Sequence, residues 1–138
     1  MLTTIEKVNL LQRVPLFRDV RTESVARVAA IAREISCEAR QLLFRENDAA
    51  DAMLLVLEGR VALVRDGNET HELGPGQLLG ALPLLAGEAY AESAIATQPV
   101  RVLQIDQQEF YEAMAEDFNL TRGLMRALVR LAPGSSPG

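Results

Sequence analysis

A segment near the middle of the chain holds residues whose types and spacing suit phosphate chemistry. Gly76 and Gly80 precede a short apolar run at residues 82–85, and a strand of small residues follows at 91–96. Glycine lets the backbone approach a ligand closely, and the N–H groups at the start of a helix attract anions. The pattern therefore predicts the frame of a phosphate-binding cassette.

A purely structural explanation of the same residues stays open. Glycines stand at turns and bulges of any β-barrel, whether or not the barrel binds a ligand. The leucines of residues 82–85 also suit core packing. The glycine pattern alone therefore does not identify a ligand.

Composition limits the class of protein. The 138 residues are 49% hydrophobic and carry a net charge of −5, which is enough apolar material for one domain and the wrong charge for a nucleic-acid surface. No apolar run reaches the ~18 residues of a membrane span, and no secretory signal precedes the first predicted helix. Cys37 is the single cysteine, so no internal disulfide forms. We expect a cytoplasmic protein that does not insert into membranes.

Catalysis and metal binding find no support in the sequence. His71 is the single histidine, so neither a Ser/His/Asp nor a Cys/His arrangement can be assembled. No cysteine or carboxylate constellation accompanies it. We expect no enzyme activity, no catalytic residue and no metal site.

Helices are predicted at both ends of the chain, with strands between them. Thr3 and Glu6 form a capping box for a first helix, and a second begins near Thr22. A period of two then runs from about Ile35 to about Ile105, with a hairpin turn at Asp66-Gly67. The predicted strands are 41–45, 53–58, 60–65, 70–73, 91–96 and 100–105.

Two helices and a tail are predicted after the strands. One helix begins near residue 106, and Asn119 is predicted to cap the last one. That last helix carries leucines at 120, 124, 128 and 131 and, on another face, arginines at 122, 126 and 130. The sequence predicts a single domain over 1–132 and a flexible Ser/Gly/Pro tail over 133–138.

Several motifs in order resemble the cyclic-nucleotide-binding domain, the type found in kinase regulatory subunits and in bacterial transcription regulators. They are Val14-Pro15-Leu16-Phe17, Leu43-Phe44-Arg45-Glu46-Asn47-Asp48, Leu57-Glu58-Gly59-Arg60-Val61, and the approach Leu73-x-Pro75-Gly76-x-x-x-Gly80. The resemblance implies a mainly β fold, a jelly-roll β-barrel (double-stranded β-helix) flanked by N-terminal helices and two C-terminal helices. Arg40 and Asn47 stand where the family has glycines.

The resemblance also places a ligand cassette on this chain, and the cassette departs from the family. Its positions here are Gly80, Ala81, Leu82, Tyr90, Ala91 and Ser93. The family has a ribose-binding Glu where this chain has Ala81, and a phosphate-binding Arg where it has Tyr90. The two residues that hold most of the ligand are therefore missing.

The missing contacts predict weak nucleotide binding. Each contact is worth about 1.5–3 kcal/mol, so losing both removes about 3–6 kcal/mol, or roughly two to four decades of affinity. Glu88 and Glu92 add negative charge beside the phosphate position, and Pro83 withdraws an N–H from the short helix. We expect no cofactor, with cyclic AMP or cyclic GMP binding as the alternative.

Two hypotheses of function follow. In the first, the chain is a non-enzymatic regulatory or interaction domain that acts on a protein partner or a fused effector or transporter domain, or pairs with a second copy through its C-terminal helix. In the second, it is a genuine sensor of a cyclic nucleotide or another small ligand. An open pocket favours the second, and a pocket filled by Leu79, Leu82 and Tyr90 favours the first. The sequence leaves open the partner, the oligomeric state and any fused domain.

Overall fold

A computed structural model describes residues 1–132; residues 133–138, for which the sequence predicts a flexible tail, lie outside the described residues. The described residues divide into two compact units, a helical unit of residues 1–31 and 109–132 and a β unit of Ala32–Gln108. The elements are α1 (Thr4–Gln12), a 3₁₀ turn (Pro15–Phe17), α2 (Thr22–Ile31), β1 (Arg33–Cys37), β2 (Leu42–Phe44), β3 (Ala52–Glu58), β4 (Val61–Arg65), β5 (Asn68–Leu73), β6 (Leu78–Leu79), α3 (Ala81–Ala86), β7 (Ser93–Ala96), β8 (Val100–Asp106), α4 (Gln107–Glu116) and α5 (Phe118–Leu131).

The start of α1 confirms the predicted capping box. The Thr3 hydroxyl oxygen accepts from the Glu6 amide at 3.2 Å, and the Glu6 carboxylate accepts from the Thr3 amide at 2.9 Å. Two amides that have no partner within the helix are thereby satisfied. The helix ends before Pro15, which opens the 3₁₀ turn.

The helical unit is closed by aromatic and leucine packing. Phe17 and Phe110 meet edge to face with ring centroids 6.2 Å apart. From α5, Leu120 and Leu124 are fully buried, whereas Leu131 is exposed. The predicted leucine face of α5 is therefore buried in its first half only.

The cap of α5 differs from the prediction. Asp117, and not Asn119, is the N-cap: its carboxylate accepts from the Leu120 amide at 3.1 Å and from the Ser24 hydroxyl at 2.8 Å. Burial alone would raise the pKa of the Asp117 carboxyl, but these hydrogen bonds outweigh it and lower that pKa. Asp117 is the N-cap because its carboxylate accepts hydrogen bonds from both an amide of α5 and a hydroxyl of α2.

The β unit consists of two four-stranded antiparallel sheets, with strand orders β1-β8-β3-β6 and β2-β7-β4-β5. Strands that are distant in sequence are neighbours in both sheets, which is the jelly-roll arrangement, so the predicted fold is confirmed. Asp66 and Gly67 turn the β4–β5 hairpin with φ of 52° and 79°, as the sequence predicts. Strands β1 and β6 were not predicted as separate strands.

Alternation along the strands places the core of the β unit between its sheets. The buried cluster there includes Leu54, Val56, Val61, Ala94 and Val102. Within residues 1–132, no helix has both the length and the apolar character that crossing a bilayer requires.

Candidate ligand-binding site

The predicted cassette is built around the short helix α3. Gly80 precedes it with φ of 77°, a left-handed conformation that favours glycine, and its carbonyl accepts from the Leu84 amide at 3.3 Å. Pro83 occupies the third helical position and has no N–H. The first turn of α3 therefore offers fewer donors to an anion than a proline-free helix would.

Tyr90 is the central side chain of the site. It is only 3% exposed, and its hydroxyl donates to the Ala52 carbonyl at 2.6 Å and accepts from the Ala52 amide at 3.1 Å. Asp51 Oδ1 lies 3.2 Å from the same hydroxyl. The Tyr90 hydroxyl oxygen is thus hydrogen-bonded to the first residue of β3 and lies beside the residue before it. This oxygen is therefore not free to bind a ligand.

The Tyr90 ring is also fixed through its face. It stacks on the ring of Phe44 with centroids 4.0 Å apart and an interplanar angle of 11°. The backbone of Tyr90 is held as well, since its amide donates to the Asp48 carbonyl and its carbonyl accepts from the Asn47 amide, both at 2.9 Å. The ring therefore has little freedom to move aside.

A small cavity remains beside this pair. Its volume is about 130 Å³, and its walls are mostly apolar, whereas pockets for drug-sized ligands hold roughly 300–1,000 Å³. Its lining residues are Phe44, Leu63, Leu73, Leu78, Leu79, Gly80, Pro83, Tyr90, Ala91 and Glu92. That lining holds one carboxylate and no cation, so it offers a nucleotide phosphate no opposite charge.

The rim of the cavity is acidic, and its carboxylate already has a hydrogen-bond partner in the protein. The Glu92 carboxylate accepts from the Thr70 hydroxyl. Phe44 and Tyr90 also line a wider groove of about 440 Å³, which brings in Arg45, Asp48 and Asp51. Two carboxylates against one guanidinium leave that groove with a negative balance too.

The six predicted cassette residues divide into two groups. Gly80, Tyr90 and Ala91 line the small cavity. Ala81, Leu82 and Ser93 do not; Leu82 is 63% exposed, and the Ser93 hydroxyl oxygen accepts from the Glu46 amide at 2.9 Å. Of the three residues that could fill the pocket, Leu79 and Tyr90 are buried and line the cavity that remains, whereas Leu82 does not line it.

The sequence did not single out Phe44, Leu63 and Leu73 as site residues. Leu63 could have been predicted from the sequence, because strand alternation places it on the same side of β4 as buried Val61. The stacking of Phe44 on Tyr90 could not have been predicted, because 46 positions of the sequence separate the two rings. Only the antiparallel pairing of β2 with β7 brings them together.

Burial of Tyr90 predicts that the free energy of unfolding falls at alkaline pH, and that Tyr90→Phe removes this loss. Burial raises the pKa of Tyr90 from 10.0 to about 12, so on raising the pH the unfolded chain loses this proton first. Between about pH 10 and about pH 12 the folded state still largely holds the proton that the unfolded chain has lost, so stability falls across this range. Denaturant midpoints between about pH 9 and about pH 11.5 should fall more steeply in the parent protein than in the variant. Tyr111→Phe, at an exposed tyrosine, is the control; equal slopes in parent and Tyr90→Phe would contradict the assignment.

Comparisons with known proteins show which family this chain is similar to. The sequence model of the cyclic nucleotide-binding domain matches residues 34–117. An uncharacterized NTE family protein of Mycobacterium tuberculosis is 28% identical over 92% of this chain and 22% of its own length. The cAMP-dependent protein kinase regulatory subunit of Yarrowia lipolytica is 24% identical over 86% of this chain and 32% of its own length. The chain thus spans a third or less of these relatives.

A solved structure shares the fold. The N-terminal domain of a transcriptional regulator from Streptomyces coelicolor superposes with a TM-score of 0.79 at 28% sequence identity, covering 88% of each chain. The family match extends over more than half of the 138 residues and includes the whole cassette. This chain belongs to the cyclic nucleotide-binding domain family.

Proposed function

We propose that this chain is a cytoplasmic, non-enzymatic regulatory domain that has lost high-affinity binding of cyclic AMP and cyclic GMP and acts through contact with another protein. The observation that carries the proposal is Tyr90. It stands where the family places its phosphate-binding Arg, it is buried, and it is bonded to Ala52. A neutral ring occupies the place of a cation.

Energetics support the loss of the nucleotide. The absent Glu and Arg contacts remove about 3–6 kcal/mol. Entry of a ligand would also require the Tyr90 ring to leave Phe44 and Ala52, which costs at least about another 1–3 kcal/mol in burial and hydrogen bonds. A binder of micromolar affinity would thereby fall to millimolar affinity or weaker.

Helix α5 supports a role in protein contact. Phe118, Met125 and Val129 are 71%, 57% and 66% exposed, and their spacing of seven and four places them on one face of the helix. An exposed apolar face on a protein of net charge −5 suits a protein better than a nucleic acid. This face of α5 suits contact with a fused effector or transporter domain, a separate partner protein, or a second copy of the chain.

The small cavity favours one second candidate function. It is apolar, with Glu92 at its wall, which suits an uncharged or cationic small molecule better than a phosphate. In that case the domain is a sensor of a ligand unlike a cyclic nucleotide, and not a domain that acts only through protein contact.

Titration with cyclic AMP and cyclic GMP tests the main proposal. We expect no saturable heat below about 1 mM in calorimetry and no rise in Tm with either nucleotide, because only a ligand that binds the folded state raises Tm. A Kd below about 10 μM together with a raised Tm would overturn the loss of binding. It would mean that the backbone of the cassette suffices.

A further inference from the structure

We propose that the helical unit carries an anion-binding site of its own, formed by Arg21, Arg122 and Arg126, which takes a small phosphate such as pyrophosphate or the phosphate end of a larger molecule. The three arginines line a cavity of about 230 Å³, together with Asp19, Asn119 and Gly123. Arg21 directly precedes α2, and the other two arginines lie one turn apart on α5. The site belongs to the helical unit and is independent of the proposed function.

The charges of the three arginines are not balanced within the helical unit. Among residues 1–132, the side chains of Arg21, Arg122 and Arg126 have neither a hydrogen bond nor an ion pair. Asp19, the one acidic residue of the lining, is already paired with Arg130. Three arginines whose side chains have no ion-pair partner therefore line one cavity, in a chain whose net charge is −5.

Without a bound anion, this arrangement of arginines destabilises α5. Arg122 and Arg126 are four residues apart and so lie on the same face of α5, where like charges destabilise a helix. A bound anion converts this repulsion into two charge-assisted contacts. The cluster is thus arranged as a site that an anion completes.

Close packing at Gly123 brings the parts of the site together. Gly123 lies between the two α5 arginines, and a Cβ there would lie 2.8 Å from Val20 Cγ2. The absence of a side chain lets α5 approach the Val20 segment, so Asp19 and Arg21 lie beside the α5 arginines. The Leu120 amide is taken by Asp117, so the side chains, and not the helix terminus, make the site.

The chemistry and size of the cavity define the ligand class. Guanidinium groups match the oxygens of a phosphate through paired N–H donors and stay charged at any physiological pH. The volume of 230 Å³ is below the roughly 300–1,000 Å³ of pockets for drug-sized ligands. A diphosphate fits this description better than a whole nucleotide does.

Calorimetric titration of the full chain with pyrophosphate and, separately, with ADP tests the site. We expect saturable binding of pyrophosphate that weakens as salt is raised, and a loss of at least about tenfold in Arg122→Gln/Arg126→Gln. The matched control is Arg13→Gln/Arg18→Gln, which removes the same charge from arginines that line none of the cavities described above and should bind like the parent. Thermal unfolding of each variant verifies that it is folded.

Each outcome decides the matter. Equal affinity for ADP and pyrophosphate supports recognition of the diphosphate alone, and tighter ADP binding supports a nucleotide as its source. No heat from either probe at millimolar concentration overturns the proposal, as does an equal loss in the control variant, which would indicate general charge attraction. Because neither probe is a cyclic nucleotide, failure here leaves the proposed function of the cassette unaffected.

Discussion

Replacing Ala81 by Glu and Tyr90 by Arg is expected to raise the affinity for cyclic AMP by at least about a hundredfold, from millimolar or weaker towards micromolar. The guanidinium supplies the charge that the cassette lacks, and the carboxylate accepts from the ribose hydroxyl. Together they return about 3–6 kcal/mol of contact energy. Removal of the Tyr90 ring also enlarges the 130 Å³ cavity. Calorimetry with cyclic AMP measures the change.

The control for this experiment is Ala81→Glu/Tyr90→Phe, which carries the same carboxylate but keeps a ring stacked on Phe44. We expect it to bind no better than the parent, because the pocket stays filled and lacks a cation. The arginine variant loses the hydrogen bonds of Tyr90 to Ala52, so its Tm will fall without ligand and rise on addition of cyclic AMP. A folded arginine variant without any gain in affinity would show that more than Ala81 and Tyr90 separates this cassette from a functional one.

The sequence predicted the β architecture well because its signals are local. Asp66-Gly67 needs positive φ at both positions of its turn, and the structure has 52° and 79° there. Arg40 and Asn47, which stand at glycine positions of the family, keep left-handed conformations with φ of 72° and 73°. The turns survive without glycine because strand pairing on both sides holds them.

What the sequence could not predict depends on contacts between distant segments. The α5 cap falls on Asp117 because Ser24, 93 residues earlier, donates to the same carboxylate. The sequence shows that Tyr90 stands where the family has an arginine, but the hydrogen bonds of Tyr90 to Ala52 are seen only in the folded chain. The cluster of Arg21 with Arg122 and Arg126 likewise joins residues about a hundred positions apart.

The second large effect is expected at Gly59, where the chain leaves β3 and enters β4. Its φ is 91°, and a Cβ at this position would lie 2.3 Å from the Pro99 carbonyl oxygen and 2.9 Å from Val100 Cγ2. Gly59→Ala therefore adds a clash with the backbone of the 97–100 turn to the strain of a left-handed alanine. We expect a loss of about 3 kcal/mol or more in the free energy of unfolding.

Gly67→Ala separates the two causes. Gly67 has a similar φ of 79°, but an added Cβ would meet nothing within 4 Å, so only the strain of about 1–2 kcal/mol remains. Guanidinium chloride unfolding of both variants, followed by circular dichroism, measures the difference. Equal losses would mean that the Pro99 turn moves aside at little cost. A much larger loss at Gly59 would show that this glycine is required by the close passage of two chain segments, and that any ligand-binding role is unnecessary to explain it.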